Sequence, residues 1–292
     1  MLKGRMIPLL ALALLLFSAE IAWGENIYDL PISLTPGNKP NPACYTENGY
    51  QDDSLTVRME KLKLPRGTVD LAWIKVKSPT QLRTAIYGEP GNIYNDEPGA
   101  LVRRSNAVVA VNGDKLTERK HGLIYRMGVM LQQTASPEKD SLFIDENGDF
   151  HAFVHSDPKE MAQFLKDGHK IINAFCFGPA MVIDGKAQTI GKYDFECLTE
   201  APRTIICQVG PLEYLFIEIE GRHKDSRGMT MQDAAYYAES LGVQTAYNLD
   251  GGNSSIMFFN RKYFDEHYSG SERPMSDIVY VCSAVDPKTW EK

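Results

Sequence analysis

The sequence predicts an α+β fold: large mixed, mostly antiparallel sheets with a few packing helices, in a single domain. Segments with strand character greatly outnumber segments with helix character, and the two kinds do not alternate along the chain as they would in a doubly wound fold. The sequence contains no internal repeat, low-complexity tract or internal linker. We therefore expect one domain over residues 54–292, preceded by a signal peptide at 1–24 and an irregular lead-in at 25–53.

The strand predictions rest on alternation and on short apolar runs. Apolar and polar residues nearly alternate over 55–64 and 69–76, and the turn Pro65-Arg66-Gly67 between them predicts a hairpin. The continuous apolar run Ala107–Val111 is typical of a strand that is buried on both faces. A Gly/Pro/Asn-rich loop is predicted at 88–99. Further strands are predicted at 82–86, 122–131, 141–145, 151–154, 171–177, 180–183, 204–209, 214–220, 243–249, 256–259 and 278–285.

Two helices are predicted from their end signals. The first begins after Asp157, which can act as its N-cap, has Pro158 at its first position and ends at Gly168. The second begins after Thr230, whose hydroxyl can cap it, and presents an alanine-rich packing face. Gly242 supplies the left-handed residue that commonly ends a helix.

The first residues predict secretion. Lys3 and Arg5 precede an apolar run from Ile7 to Phe17, and Ala22-Trp23-Gly24 supplies the small residues of a cleavage site. The apolar run is roughly half of the about 20 residues that a membrane-spanning helix needs. We therefore expect cleavage near Gly24, a secreted or extracytoplasmic protein, and no stable membrane insertion after cleavage.

Charge and histidine spacing exclude two classes of function. The formal net charge is −7, and the basic residues form no cluster of the kind that neutralises phosphates, so a nucleic-acid partner is excluded. The six histidines show no HxxxH or HxH pattern on one element, so the sequence predicts no metal site on a single helix or strand.

The five cysteines leave their chemistry open. They lie in a compartment that should be oxidising, and none has the CxxC spacing of a zinc site or redox pair. Four cysteines allow three pairings and five leave one over, so a disulfide and a set of buried thiols are both compatible with the sequence. The residues are Cys44, Cys176, Cys197, Cys207 and Cys282.

The segment Asn248–Ser255, which we call the octet, is the most informative stretch for function. A predicted strand runs into Asp250, which is followed by Gly251 and Gly252 and then by Asn253, Ser254 and Ser255. Glycines allow a ligand to approach the backbone closely, and successive N–H groups in such a turn can bind an anion. A plain tight turn, with Asp250 bonding to its own backbone, is the alternative interpretation.

Three other polar segments each adjoin a predicted strand. Arg203 and Thr204 open one strand, and the Arg203 guanidinium suits bidentate binding of phosphate. Glu220-Gly221-Arg222 closes the next strand, and Asn112-Gly113-Asp114 follows the buried run. Each of them could be an ordinary structural turn or ion pair. Loops at strand ends on a rigid scaffold are, however, where binding sites are commonly built.

Taken together, these segments resemble the secreted phosphodiester glycosidases, whose animal member removes N-acetylglucosamine from a sugar phosphodiester. The resemblance extends from about residue 108 to the end of the chain, and the octet and Pro202-Arg203-Thr204 are its specific parts. The matching segments are Ala110–Asp114, Phe177–Val182, Ala201–Thr204, Glu220–Arg222 with Gly228–Thr230, Ala246–Ser255 and Glu272–Ile278.

The chain departs from the family pattern at three places. The family usually has a third glycine where Asn253 stands, an aromatic pair where Lys115-Leu116 stand, and an aspartate where Glu220 stands. Asparagine tolerates a left-handed backbone better than other non-glycine residues, so the turn should persist. Loss of the aromatic pair changes the surface on which a sugar could stack.

The resemblance implies hydrolysis of the bond between an anomeric carbon and a phosphate oxygen. In this interpretation Arg203 and the amides of Gly251 and Gly252 hold the phosphate, and Asp250 and Glu220 supply the base or nucleophile. The predicted substrate-binding residues are Asn112, Gly113, Asp114, Thr204, Arg222, Gly251, Gly252, Asn253, Ser254 and Ser255.

The predicted partner is a sugar phosphate or glycopolymer, with cell-envelope or extracellular polysaccharide metabolism as the context. No cofactor is required, although Asp250 or Asp114 could take a divalent cation. Two alternatives remain from the sequence: a glycan-binding protein with a degraded site, and a phosphodiesterase that cuts the P–O bond.

Overall fold

The computed structural model describes residues 29–65, 67–191, 195–264 and 273–291. The predicted signal peptide lies outside these residues, as does part of the last family segment, Glu272. The strands are, in chain order, β1 (Tyr45–Thr46), β2 (Gly49–Gln51), β3 (Leu55–Leu64), β4 (Gly67–Val76), β5 (Leu82–Ile86), β6 (Gly88–Glu89), β7 (Asn92–Ile93), β8 (Val109–Asn112), β9 (Gly122–Arg126), β10 (Val129–Thr134), β11 (Ser141–Asp145), β12 (Phe150–Phe153), β13 (Ile171–Phe175), β14 (Ala180–Ile183), β15 (Lys186–Ala187), β16 (Arg203–Gly210), β17 (Glu213–Ile219), β18 (Thr245–Asn248), β19 (Met257–Phe259), β20 (Lys262–Tyr263) and β21 (Asp277–Val281).

Helices are few and short. The α-helices are α1 (Pro98–Arg104), α2 (Pro158–Lys166) and α3 (Met231–Ser240). Both predicted helices are present with their predicted caps: the Asp157 side chain accepts from the N–H groups of Lys159 and Glu160, and Thr230 accepts from Asp233. Short 3₁₀ turns occur at Pro42–Cys44, Pro79–Gln81, Leu116–Glu118, Val154–Ser156, Phe195–Leu198, Gly252–Ser254 and Pro287–Thr289.

The strands build three main sheets. Sheet A has the order β1-β2-β3-β4-β17-β16-β18-β14-β15, sheet B has the order β10-β9-β13-β11-β12, and sheet C has the order β20-β19-β8-β21-β5. Within the described ranges every pairing between these strands is antiparallel. The predicted α+β class with mostly antiparallel sheets is confirmed.

Burial arranges these sheets in layers. One face of sheet A packs against sheets B and C through a shared core that includes Phe216, Phe175 and Val279. The other face of sheet A packs against the alanine-rich side of α3. Helix α1 covers the far side of sheet C, and α2 covers the far side of sheet B. All four residues of β8 are buried, as the continuous apolar run predicts.

Three local predictions need correction. The lead-in is not irregular throughout, because β1 and β2 form a hairpin that pairs with β3, so sheet A begins before residue 54. The predicted loop at 88–99 contains the hairpin β6–β7 and the start of α1, whose first turn accommodates Pro98. The predicted strand at 122–131 is a hairpin, with Met127 and Gly128 at positive φ in its turn.

The family-like segments converge at one end of the sheets. The start of β16 lies beside the end of β18 and the end of β17, because these strands run antiparallel. The end of β8 lies beside the start of β21 in sheet C. Hydrogen bonds between Asn112 and both Thr204 and Asp250 join the two groups of strand ends. The fold therefore brings the predicted site residues to one region.

Among the described residues, no helix is long and apolar enough to cross a bilayer. All five cysteines are free thiols; Cys44 is half-buried and the other four are buried. Burial raises the pKa of the Cys282 thiol to about 12, so this group is a poor nucleophile.

Candidate active site

Asn112 joins the segments around the site. Its side-chain N–H₂ donates to the main-chain carbonyl of Asp250 at 2.7 Å and to that of Gly113 at 3.0 Å. Its side-chain oxygen accepts from the Thr204 hydroxyl at 2.7 Å and from the Ile256 N–H at 3.2 Å. Asn112 is buried, and these four hydrogen bonds satisfy both N–H groups and the oxygen of its side-chain amide. Asn112 therefore holds Asp250 in position.

Asp250 lies on the wall of a cleft at the end of β18. The cleft is shallow and open, and its about 280 Å³ of empty space includes part of the surrounding solvent. Burial raises the pKa of the Asp250 carboxyl, while a hydrogen bond from Ser254 and nearby positive charges lower it. Its Oδ1 atom also accepts from the Gly251 N–H at 3.1 Å. The lining residues are Asn95, Asn112, Gly113, Lys115, Glu118, Asp250, Ser254, Arg273, Pro274, Met275, Ser276 and Asp277.

Lys115 and Arg273 bring positive charge to this cleft. Glu118 links them, with its carboxylate 2.8 Å from Lys115 Nζ and 3.7 Å from Arg273 Nη2. Arg273 Nη1 also donates to the Ser254 hydroxyl at 2.9 Å. Lys115 has a left-handed backbone, with φ 63° and ψ 53°. At the position where the family usually has an aromatic residue, this chain therefore presents a cation to the cleft.

The glycine amides of the octet are already used. The Gly251 N–H donates to the Asp250 carboxyl, and the Gly252 N–H donates to the carbonyl of Pro202 at 3.0 Å. The predicted anion-binding role of these amides does not fit this structure. Gly252 is the residue with positive φ, at 63°, so Asn253 does not need the left-handed conformation. Asn253 instead accepts from Arg222 Nη1 at 3.0 Å.

Asp114 lies beneath the cleft, fully buried, in an ion cluster with Arg126 and Asp277. The Arg126 guanidinium donates hydrogen bonds to both carboxylates, and its Nη2 atom lies 2.9 Å from Asp277 Oδ2. The guanidinium also lies over the Phe175 ring, 4.2 Å from the ring centroid. Burial raises the pKa of Asp114 to about 6 against the opposing effect of Arg126. Because Asp114 is fully buried against Arg126, the predicted contact of Asp114 with sugar does not fit this structure, whereas its role as a cation ligand stays a prediction.

Gly113 is required by this cluster. Its N–H donates to the Asp277 carbonyl at 2.9 Å, and a Cβ atom at Gly113 would lie 1.9 Å from Asp277 Oδ2. Any larger residue would displace the Asp277 carboxylate. Gly113 thus serves packing between β8 and β21, and its carbonyl accepts from the Asp250 N–H at 3.3 Å.

Arg203 and Thr204 point to opposite faces of sheet A, as neighbours on a strand do. Thr204 faces Asn112 and the cleft side. The buried Arg203 guanidinium donates to the carbonyls of Thr199, at 2.9 Å, and of Met229, at 3.2 Å. Arg203 is not among the residues that line the cleft. The structure thus gives it a role in positioning the loops around the octet.

Glu220 belongs to a second, buried acidic group. Its carboxylate lies 2.7 Å from Lys61 Nζ and 3.5 Å from His223 Nε2. The ligand atoms of Asp70, Glu218 and Glu220 all lie within 4.8 Å of one another. Burial raises the pKa of Asp70 to about 8, with Lys61 opposing and Glu220 reinforcing that rise. Glu218 on β17 pairs with Thr204 on β16, so this acidic group lies in the strand next to the one that carries Thr204.

Of the remaining predicted residues, the octet serines are both buried. Ser254 lines the cleft and bonds to Asp250, whereas Ser255 Oγ is buried without a hydrogen-bond partner. Arg222 lies beside Gly252, where a Cβ atom would approach its Nη1 to 2.9 Å. The two groups of three candidate metal ligands within the described ranges include neither Asp250 nor Asp114.

Several residues of this region escaped the sequence analysis. They are Asn95, Lys115, Glu118, Arg273, Ser276 and Asp277 in the cleft, and Lys61, Asp70, Arg126 and Glu218 beside or beneath it. Arg273, Ser276 and Asp277 lie within the last family-like segment, which was the one available signal. Lys115 was noted only as a departure from the family pattern.

The fold and the cleft define an α+β protein with a partly buried carboxyl, that of Asp250, in a cleft that Lys115, Glu118 and Arg273 also line. The model of the phosphodiester glycosidase family matches residues 105–282, which is more than half of the chain. The chain therefore belongs to the phosphodiester glycosidase family, which supports a glycosidase-type activity. The octet, Arg203, Lys115 and Arg273 all lie within the matched residues.

A sequence relative and three solved structures are similar to the chain. The SPbeta prophage-derived uncharacterized protein YomE of Bacillus subtilis (strain 168) is 32% identical over 110 residues, which cover 37% of this chain and 17% of that protein. The chain thus aligns with only a small part of that relative.

The solved structures share the fold. The zebrafish N-acetylglucosamine-1-phosphodiester alpha-N-acetylglucosaminidase catalytic domain, auto-inhibited by its pro-peptide, matches with a TM-score of 0.60 at 17% identity, over 78% of this chain and 83% of that one. A hypothetical protein from Synechocystis matches with a TM-score of 0.54 at 10% identity, over 78% and 62%. A putative exported protein from Burkholderia pseudomallei K96243 matches with a TM-score of 0.52 at 14% identity, over 74% of each chain.

Proposed function

We propose that this protein is a secreted hydrolase that cleaves the glycosidic bond of a sugar-1-phosphodiester in cell-envelope or extracellular glycopolymer metabolism. The observation that carries the proposal is the Asp250 carboxyl, partly buried in the wall of a cleft that Lys115 and Arg273 also line. A sugar-1-phosphodiester has an anionic phosphate next to an electrophilic anomeric carbon. Cationic groups and a carboxyl line the same cleft, which supports the proposal.

The division of roles follows from the chemistry of the bond. Phosphate is a good leaving group, so the reaction depends on holding the phosphate charge and on a carboxylate near the anomeric carbon. We assign the phosphate to Lys115 and Arg273, and the base or nucleophile to Asp250. Thr204 and Asn112 keep Asp250 in place through their hydrogen bonds.

Glu220 remains a candidate for the second carboxylate of the reaction. It lies at the end of β17, next to the strand that carries Thr204, and Arg222 from the same loop contacts Asn253 in the octet. Lys61 and His223 cover its carboxylate. A direct role for Glu220 would require these two side chains to move aside when substrate binds.

Hydrolysis in oxygen-18 water tests the proposal. The substrate is a synthetic N-acetylglucosamine-1-phosphodiester, and the products are analysed by mass spectrometry. Label in the sugar hydroxyl supports the glycosidase, whereas label in the phosphate would identify a phosphodiesterase. Tight binding of the substrate without turnover, across a panel of sugar phosphodiesters, would identify a glycan-binding protein. Asp250→Asn is the matched control, because it keeps the shape of the side chain and cannot supply a carboxylate.

A further inference from the structure

Outside the cleft, two histidines from separate elements meet one buried aspartate. His151 Nε2 lies 3.1 Å from Asp145 Oδ2, and His169 Nδ1 lies 3.3 Å from the same oxygen. Asp145 ends β11, His151 is on β12, and His169 lies between α2 and β13. The sequence spacing of these residues, 145, 151 and 169, matches no single-element motif. Only the folded sheet brings them together.

We propose that Asp145, His151 and His169 form a binding site for a divalent transition metal of the zinc class. The three ligand atoms all lie within 4.8 Å of one another. A tetrahedral zinc ion with ligand distances of about 2.0–2.1 Å separates its ligand atoms by about 3.3 Å. The two distances to Asp145 Oδ2 are close to that separation, and the two imidazoles would turn from the carboxylate towards the ion as it binds.

The ligand types select the class of metal. Two imidazoles and one carboxylate suit zinc and its neighbours in the first transition row, whereas calcium and magnesium prefer oxygen ligands. The imidazoles are about one-third exposed, at 32% and 35%, and the Asp145 side chain is 1% exposed. The metal would thus be reached from solvent and would retain an open position for water.

Neighbouring groups hold the three ligands in orientation. The other oxygen of Asp145 accepts from the N–H groups of Asn147, at 2.8 Å, and Asp149, at 2.9 Å, so Oδ2 stays directed at the imidazoles. The Phe164 ring on α2 stacks on His169 with centroids 4.7 Å apart and contacts His151 edge-on at 4.9 Å. Such outer contacts fix ring orientation in metal sites.

The site is separate from the cleft. The turn that follows Asp145 is bonded to Gln208, through Asp149 Oδ1 at 2.7 Å and the Phe150 N–H at 2.8 Å. Gln208 lies four residues along β16 from Thr204, which corresponds to about 13 Å. A metal here would join the β11–β12 hairpin to the segment after α2. It would stabilise sheet B without taking part in hydrolysis.

Metal titration of the full secreted chain tests the proposal. The protein is stripped with a chelator, exchanged into chelator-free buffer and titrated with zinc chloride by calorimetry. We expect one equivalent to bind, and cobalt(II) at the same site should give the absorption of a tetrahedral complex. His151→Gln and His169→Gln should each raise the Kd by at least about tenfold, since even outer contacts of metal ligands are worth that much.

His121→Gln is the matched control, because His121 is exposed and lies outside the cluster. It should bind zinc like the original protein, and zinc should raise the Tm of both but not of the two ligand variants.

Diethyl pyrocarbonate labelling needs no variant: zinc should protect His151 and His169 but not His121. Absence of one-equivalent binding, or binding that persists in both ligand variants, would overturn the proposal. Phosphodiester hydrolysis by the ligand variants should be retained, so this result is independent of the proposed function.

Discussion

The side-chain amide of Asn112 donates a 2.7 Å hydrogen bond to the main-chain carbonyl of Asp250, 138 residues further along the chain. The same side chain bonds to Thr204 and Ile256, so one buried amide connects the end of β8, the start of β16, the octet and the residue that follows the octet. Buried amides are costly to leave without partners. The position of the Asp250 carboxyl therefore depends on a residue of a different sheet.

Asn112→Ala tests this dependence. The substitution leaves the Ile256 N–H and the Asp250 carbonyl without their partner, so we expect the free energy of unfolding to fall by about 2–4 kcal/mol. The rate of phosphodiester hydrolysis should fall as well, because Asp250 loses its support. Urea unfolding and steady-state kinetics provide the two measurements. Asn92→Ala, in the exposed β6–β7 hairpin, should change stability by no more than about 0.5 kcal/mol.

Asp250→Asn should lower kcat by roughly 100-fold or more while the protein stays folded, because the amide can act neither as base nor as nucleophile. Kinetics with the sugar-1-phosphodiester, supported by circular dichroism, provide the measurement. A folded variant with full activity would remove Asp250 from the mechanism and move the search for a carboxylate to Glu220.

Lys115 and Arg273 should determine both phosphate binding and the acid limb of the pH profile. Both positive charges lower the pKa of Asp250 against the rise that burial causes. Replacing either by methionine therefore raises that pKa further, and because the carboxylate form reacts, the acid limb of kcat/KM moves to higher pH. The KM for the phosphodiester should also rise, since a phosphate contact is lost. An unchanged pH profile in both variants would contradict the assigned cleft.

How much the sequence could predict depended on whether the signal was local. Alternation gave the β3–β4 hairpin, and the caps Asp157 and Thr230 gave α2 and α3, because those signals lie within a few residues. Helix α1 was missed because proline and glycine dominate its start, where their turn preference competes with the helix.

The site was predictable as a set of segments and not as a set of contacts. The octet and Asn112 do come together, as loops at strand ends suggested. The Arg126 partner of Asp114, however, lies 12 residues away on a hairpin, and Asp277 lies 163 residues away. Neighbouring residues on a strand point to opposite faces of the sheet, and the register decides which face each of them takes. The direction of the Arg203 side chain could therefore not be predicted from the sequence alone.

Arg203→Ala should separate a positioning role from a phosphate contact. Its guanidinium donates to the carbonyls of Thr199 and Met229, so its loss should reduce stability by about 1–3 kcal/mol. We expect kcat to fall as the octet loosens, with KM for the phosphodiester changed by no more than about twofold. A large rise in KM at unchanged kcat would restore the phosphate role that the family resemblance implies.

Asp70 should make the protein less stable as the pH rises. Its carboxyl is fully buried, and burial raises its pKa to about 8 in the folded protein, against an ordinary value of 3.8. The folded state therefore holds the proton more tightly than the unfolded state, and the stability that this proton gives is complete below about pH 4 and lost as the pH rises through 8.

Urea unfolding between pH 4 and pH 9 should show this loss in the original protein. Asp70→Asn, which cannot titrate, should reduce the loss, whereas Asp53→Asn, at an exposed carboxylate, should leave it unchanged. Parallel curves for the original protein and Asp70→Asn would show that another group in this cluster holds the proton.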